Sequence, residues 1–322
     1  MIKYPPIKIN LGLNVLRKRE DGFHDLETLF LESGRFHDTL EIVTGDDYSR
    51  TMASLAARYG DRGGICDGDI PALAQGISEN GKLMITVARK EGVDWDVRKD
   101  LCAKAYALLD NDFKLPPAKI FLEKNSPVGA GLGGGSADAA YTLTMLNDIC
   151  SLGLSTEQLA GYAARLGSDC AFFIFGRPMF GEGRGEVLTP FELAVDIVDA
   201  GGAACSGSRT GSSISGNDGS GSGNDSSGTG TARPCTREHP EKDRPQYELQ
   251  TVIPEGISVS TAEAYRGITP AIPEMRLKDV LARPVSEWED LLVNDFEATV
   301  FKAHPELAAI KQSLYDSGAI YA

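Results

Sequence analysis

The chain has 322 residues, of which 42% are apolar, and a formal net charge of -14. That length admits two domains or one large one, and the apolar fraction supports a sizeable core. A strongly acidic chain is repelled by polyanions, which argues against nucleic acid or a membrane surface as partner but leaves small anionic ligands open.

"IKINLGLNVL" alternates, with Ile7, Ile9, Leu11, Leu13 and Val15 on one face and Lys8, Asn10, Gly12 and Asn14 on the other. The pattern predicts a strand with one buried side. "KREDGFHDLETLF" follows with a turn signal at Asp21-Gly22, and "DTLEIV" reads as a second strand. Residues 44–80 are glycine-rich and aperiodic, and read as a loop insertion with one short helix at 53–59. "KLMITVAR" and "AKIFLEK" are strands on either side of the helical "DLCAKAYALLDNDF". After a glycine-rich stretch, Ala139, Leu143, Leu146 and Cys150 mark a helix stripe. Ser155 with Gln158 makes a capping box for a helix through Leu166. "SDCAFFIFG" is a buried apolar run, and "GRGEVLTP" reads as strand and turn.

Residues 201–234 are Gly/Ser-rich and cannot bury enough apolar surface to offset their ordering entropy. A disordered insert spanning about 195–246, carried at a surface hairpin, is expected. "VSTAEAY" opens a short helix, Ser286 with Glu289 caps another, and "HPELAAIKQSLYDSG" forms a third, with Pro305 at its start and Gly318 past its end. "AIYA" looks like the start of a further strand. The mixture indicates α+β rather than regular βαβ alternation.

No apolar run approaches the ~20 residues that cross a bilayer. "MIKYPPIKIN" has no signal or transit character. Cys66, Cys102, Cys150, Cys170, Cys205 and Cys235 are scattered without a C-x-x-C, which predicts reduced thiols in a cytoplasmic protein rather than disulfides or a zinc site.

The stretch "SPVGAGLGGGSADAA" carries the chemistry. Gly129, Gly131 and Gly134 match G-x-G-x-x-G, the dinucleotide fingerprint. That fingerprint follows a strand directly and needs an acidic residue ~20 positions on. Here "EKNSP" intervenes, and "LGLST" stands where the acidic strand end belongs. No Lys-Ser/Thr follows the glycines, so a Walker A loop is excluded. A triphosphate cradle fits better: glycines turn successive N–H groups toward one anion, and "SADAA" starts a helix whose positive end faces it. Ser136 sits at that junction, either as a helix cap or as a phosphate or Mg2+ contact.

These residues resemble a known family. "PVGAGLGGGSADAA" is similar to the second motif of the GHMP kinases, P-x-x-x-G-L-G-S/G-S-x-A. "KINLGLNVLRKREDGFHDLETLF", "LGSDCAFFIFGRPMFGEGRGEVLTP" and "NDFEATVFKAHPELAAIKQSLYDSGAIYA" resemble the branch that acts on a CDP-linked methylerythritol. The resemblance implies a two-domain fold: a ribosomal protein S5 domain 2-like ATP-binding domain over 1–165 and a ferredoxin-like substrate-side domain over 166–322. It implies ATP-dependent phosphorylation of the 2-hydroxyl of that substrate in non-mevalonate isoprenoid precursor synthesis, with Mg2+. The alternatives are another GHMP small-molecule kinase or a catalytically impaired nucleotide-binding fragment. The expected oligomeric state is a monomer or weak homodimer.

By the resemblance, Asp169 is the general base and Lys8 the cation that orients it. ATP lies on Pro127, Gly129, Ala130, Gly131, Leu132, Gly133, Gly134, Gly135 and Ser136. Asn10, Phe23, His24, Thr261 and Tyr265 bind substrate, with Phe23 and Tyr265 as the two faces of a cytosine sandwich and His24 on the base edge. Taken singly, Lys8 reads as a solvated strand-face lysine, Asp169 as a turn residue and Phe23 as a core aromatic. The family continues beyond "GAIYA" into a third glycine-rich motif. A chain stopping at Ala322 is expected to bind nucleotide with weak or no turnover.

Overall fold

A computed structural model describes residues 1–45, 72–200, 244–254 and 256–322. The helix expected at 53–59 and the Gly/Ser-rich stretch at 201–234 lie outside them.

Two sheets frame the N-terminal half. The first has the order β1-β4-β7-β6-β5. Its strands are β1 (Ile2–Lys3), β4 (Thr39–Thr44), β5 (Leu73–Ile77), β6 (Leu83–Arg89) and β7 (Ala118–Lys124). β6 and β7 run parallel. The second is antiparallel and follows β2-β3-β8-β9. It contains β2 (Pro6–Lys18), β3 (His24–His37), β8 (Met179–Gly183) and β9 (Val187–Pro190). Four helices accompany them: α1 (Leu101–Phe113), α2 (Gly134–Ile149), α3 (Thr156–Ala164) and α4 (Cys170–Phe175). Leu40, Ile42, Ile85, Ile120 and Leu122 of the first sheet form one core with Cys102, Tyr106, Ala139, Leu143 and Leu146 of α1 and α2.

Several expectations need correction. β3 continues "HDLETLF" as a full 14-residue strand, because Leu26, Leu29, Phe30 and Leu31 find apolar cover on both sides. The insertion expected over 44–80 is partly regular: residues 73–77 make the edge strand β5, paired antiparallel with β6. The boundary at 165/166 is crossed by a sheet, since β8 pairs with β3 from Leu26↔Gly183 to Phe30↔Met179.

β2 is also not half-exposed. Its register slips between Leu11 and Leu13, so Gly12, at φ +72°, is a bulge. The slip reverses the faces. Leu13 pairs with Thr28 and joins the Lys8/Asn10 side, while Asn14 pairs with Glu27 and crosses to the other. There Asn14 Nδ2 donates to Glu27 Oε1 at 3.0 Å. Both faces are covered because a second layer packs on Leu11, Leu29, Leu31 and Phe180.

That layer includes β10 (Asp196–Asp199), β11 (Gln246–Leu249), α6 (Leu277–Leu281) and α7 (Trp288–Leu291); the chain also forms α5 (Thr261–Tyr265), α8 (Glu297–Ala303) and α9 (Pro305–Asp316). β10 and β11 pair parallel, so the second insert does not leave from a hairpin. Ser286 is no helix cap; it lies inside the 3-10 turn Val285–Glu287, and Trp288 packs on Leu277 and Leu281 instead. Residues 319–322 form no strand. Pro305 does open α9, the Ser155/Gln158 capping box is present, and Gly318 follows α9 at φ +97°.

Candidate active site

The site is assembled where β2 meets the loop between β7 and α2. The backbone N–H of Lys8 donates to the Leu132 carbonyl at 2.8 Å, which pins the glycine loop to the strand. Gly129, Gly131 and Gly133 take φ of +78°, +73° and +70°, a region open to glycine and strained for other residues. At Gly133 space decides as well: a Cβ would stand 3.1 Å from Lys8 Cγ and 3.2 Å from the Phe173 ring.

α2 begins at Gly134 with Gly133 as its cap residue and no side-chain cap. Ser136 is therefore not the cap. It stands at the third helical position, close to Cys170, whose thiol pKa burial pushes up to about 11. The unpaired N–H groups of the first turn are left free for an anion. A cavity of about 380 Å³ runs along the loop. It is lined by Pro127, Gly129, Ala130, Gly131, Leu132, Gly133, Gly134, Gly135 and Ser136, and by Trp95, Lys99 and Leu101. The expected nucleotide contacts thus share one cavity.

Lys8 projects beside this loop. Its side chain is 7% exposed, with Nζ 3.4 Å from Asp169 Oδ2 and 4.8 Å from the centre of the Phe30 ring. It also donates to Asn10 Oδ1 at 3.0 Å. Asn10 is held in turn: its Nδ2 donates to Thr28 Oγ1 at 3.0 Å, and that hydroxyl donates to the Gly12 carbonyl at 2.6 Å. The bulge therefore orients Asn10, and through it Lys8. Asp169 stands just before α4, with its side chain 31% exposed. Phe172 and Phe173 of α4 are buried with Phe30, Ala137, Ala140 and Met179, which locks α4 against α2 and β3. A cation and a carboxylate are thus presented to the cleft next to the anion cradle.

Beneath the loop lies a charge cluster that the sequence does not announce. Lys124 donates to Asp38 and, at 2.6 Å, to Asp138 Oδ2. Asp38 also accepts from the N–H groups of Asn125 and Ser126 at 2.7 and 2.8 Å and from Ser126 Oγ at 2.8 Å. All three charged side chains are buried. Burial opposes the Lys124 ammonium, but the two carboxylates outweigh it and hold its pKa above the usual value. A Cβ at Gly134 would come 2.6 Å from Ser126 Oγ, so the loop closes directly over this cluster.

The substrate end differs from expectation. His24, not Phe23, stacks on Tyr265, with ring centres 4.7 Å apart and 16° between planes. Phe23 is 54% exposed and lies under the Arg184 guanidinium at 4.9 Å. It sits at the β2–β3 turn, where strand alternation turns its ring away from its neighbour's. Tyr265 meets Phe296 edge-on at 4.9 Å. Burial raises the Tyr265 phenol pKa, with the charge of Asp169 as a second cause. Thr261 opens α5. Phe296 was not foreseen. It is carried by Asn294 and Asp295, which pair with β2: Asp295 N–H donates to the Leu13 carbonyl at 2.9 Å and Val15 N–H to Asp295 Oδ2 at 2.6 Å.

Among the described residues no group of three His, Cys, Asp or Glu side chains could hold a metal ion. Such a cage is not what Mg2+ requires on a triphosphate, where it keeps several waters and few protein ligands.

Residues 100–177 match the N-terminal domain of GHMP kinases. The 4-diphosphocytidyl-2-C-methyl-D-erythritol kinase of Bacteroides fragilis is 35% identical over all of this chain and 87% of its own length. Those of Bacteroides thetaiotaomicron and Parabacteroides distasonis are 36% and 34% identical over the same shares. A crystal structure of 4-(cytidine 5'-diphospho)-2C-methyl-D-erythritol kinase superposes with a TM-score of 0.59 over 99% of this chain and 84% of that one, at 23% identity. Full-length similarity at this level, around a glycine cradle with an adjoining Lys–Asp pair, places the chain in the 4-diphosphocytidyl-2-C-methyl-D-erythritol kinase family of GHMP kinases.

Proposed function

We propose that the protein transfers the γ-phosphate of ATP to the 2-hydroxyl of 4-diphosphocytidyl-2-C-methyl-D-erythritol. The observation that carries this reading is the juxtaposition of Lys8 and Asp169, 3.4 Å apart, beside a cavity lined by Pro127 to Ser136. The hydroxyl has a high pKa and must lose its proton as the phosphoryl group moves. Asp169 accepts that proton. Lys8, 3.4 Å away, holds the carboxylate in place, and its charge stabilises the oxygen that attacks. The triphosphate rests on the N–H groups of the loop and of the first turn of α2, which need no lysine of their own. When bound, Mg2+ would neutralise the triphosphate charge, and Ser136, at the third position of α2, would be its protein contact.

The cytidine end follows from His24, Tyr265 and Phe23. An aromatic ring presents a face to cytosine, and His24 carries a polar edge that can bond the base. Asn10 and Thr261 complete the substrate contacts.

Phosphorylation of the CDP-linked substrate, homoserine and mevalonate with ATP and Mg2+ tests the reading. Turnover of the first with a kcat/KM at least 100-fold above the others is expected. Equal or better use of homoserine or mevalonate would assign another GHMP kinase activity.

A further inference from the structure

Lys8 is tied to the main chain of its own strand by a relay of three hydrogen bonds. Its Nζ donates to Asn10 Oδ1 at 3.0 Å, Asn10 Nδ2 donates to Thr28 Oγ1 at 3.0 Å, and Thr28 Oγ1 donates to the Gly12 carbonyl at 2.6 Å. The two ends of the relay leave no choice of direction. An ammonium only donates, and a backbone carbonyl only accepts. Asn10 therefore turns its oxygen to Lys8 and its nitrogen to Thr28, and the one proton of Thr28 goes to Gly12. The middle of the relay needs a group that accepts and donates at once, which a hydroxyl does.

The bulge makes the relay's last acceptor available. Gly12 is the extra residue of β2 and has no partner in β3, whereas Leu13 pairs with Thr28. No side chain fits in its place, since a Cβ at Gly12 would stand 2.6 Å from both Leu277 Cδ1 and Leu292 Cδ1. Thr28 is fixed as firmly. It is 0% exposed and sits between two strands, opposite Leu13 of β2 and Gly181 of β8. With no accessible surface it cannot touch a bound substrate, so it acts only through Asn10. For packing and strand propensity alone, valine would serve at this position equally well. What valine lacks is the hydroxyl.

The ammonium at the other end is held by Asn10 at 3.0 Å and by Asp169 at 3.4 Å. Losing the Asn10 tether frees Nζ to swing away from the reacting oxygens, and small displacements of a catalytic group are costly in rate. We propose that Thr28 is a positioning residue for the phosphoryl transfer: its hydroxyl fixes the Asn10 amide, and the Asn10 oxygen fixes the Lys8 ammonium beside Asp169. The inference rests on the reading that Lys8 and Asp169 perform the transfer.

Single-turnover phosphorylation of the CDP-linked substrate by the full chain tests it, with Thr28→Val removing the hydroxyl at constant shape and Thr28→Ser restoring it. The rate of Thr28→Val should fall about tenfold or more with ADP affinity within about twofold of wild type, and Thr28→Ser should stay within about threefold in rate. Since Thr28 acts through Asn10, its effect should disappear where Asn10 is missing: Asn10→Ala/Thr28→Val should react within about twofold of Asn10→Ala alone. A Thr28→Val rate within about threefold of wild type would overturn the proposal. So would a Thr28→Ser chain as slow as Thr28→Val, or a Thr28→Val loss that multiplies in full on that of Asn10→Ala, the mark of a residue that serves only the fold. Should the valine chain fail to fold, Thr28→Ala is measured in its place against the same outcomes. An unchanged rate in Lys8→Ala would instead bring down the transfer reading itself.

Discussion

The two ends of the cleft are built differently. At the donor end every group is already in place. Lys8 and Asp169 are paired, the loop is bonded to β2, and the cluster of Asp38, Lys124 and Asp138 holds it from below. At the substrate end His24 and Tyr265 lie against each other at 4.7 Å, with Phe23 outside the stack. A base cannot stack between two rings that touch. The donor end is made from elements of one half of the chain, joined by backbone and charge. The substrate end brings His24 of β3 against Tyr265 of α5, and Tyr265 against Phe296, through ring contacts. Phosphoryl transfer is therefore preorganised. On the proposed reading, base recognition would require Tyr265 to move, and a ligand that separates the rings would spend part of its binding energy on doing so.

Four substitutions would break or sharpen this contrast. Lys8→Ala attacks the preformed end and should lower kcat by about 100-fold or more, with little change in KM for the CDP-linked substrate; steady-state kinetics decides. Gly133→Ala keeps every charge but forces an L-residue to φ +70° and a Cβ against Lys8 and Phe173. ADP affinity should fall about tenfold, as read by titration. Tyr265→Ala acts on the ring-built end, and the contrast requires the opposite kinetic signature: KM for the CDP-linked substrate up about tenfold and kcat within about threefold. A large kcat loss there would mean that the two ends are not separable.

Glu27→Gln is expected to have the smallest effect on chemistry and to report on stability. Glu27 is buried and joins the halves, accepting from Asn14 Nδ2, the Leu277 N–H and the Arg276 guanidinium. Burial alone would raise its carboxyl pKa, but the bonds from Arg276, Leu277 and Asn14 outweigh it and the net shift is downward. A pKa lower in the folded than in the unfolded chain gives stability that is complete above about pH 5 and lost as pH falls below about 4. Glu27→Gln should cost about 2 kcal/mol at pH 7 and flatten the acid limb of the melting curve. Melting temperatures from pH 7 to pH 3 measure both.

The parts of the site that local chemistry dictates were legible in the sequence. The glycine run requires positive φ, and Gly129, Gly131 and Gly133 have it. Lys8 and Asn10 share a strand face, as alternation predicts. What was not legible depends on pairings across the chain. The bulge at Gly12 is set by the partner strand, so alternation misplaced Leu13 and Asn14. Asp38, Lys124 and Asp138 are unremarkable separately and become a cluster only when the β3–β4 junction, β7 and α2 meet. His24 rather than Phe23 meets Tyr265 because the turn between β2 and β3 decides which ring points toward α5. The parallel pairing of β10 with β11 spans residues 200–245 and leaves no local mark.

The central claim is that Lys8 and Asp169 perform the transfer on a nucleotide held independently by the glycine loop. Asp169→Asn tests it most directly, since the change removes a proton acceptor and preserves shape. Single-turnover phosphorylation with ATP, measured beside ADP affinity on the same protein, should show a rate at least about 100-fold lower with ADP binding within about twofold of wild type. A rate within about threefold of wild type would contradict the account.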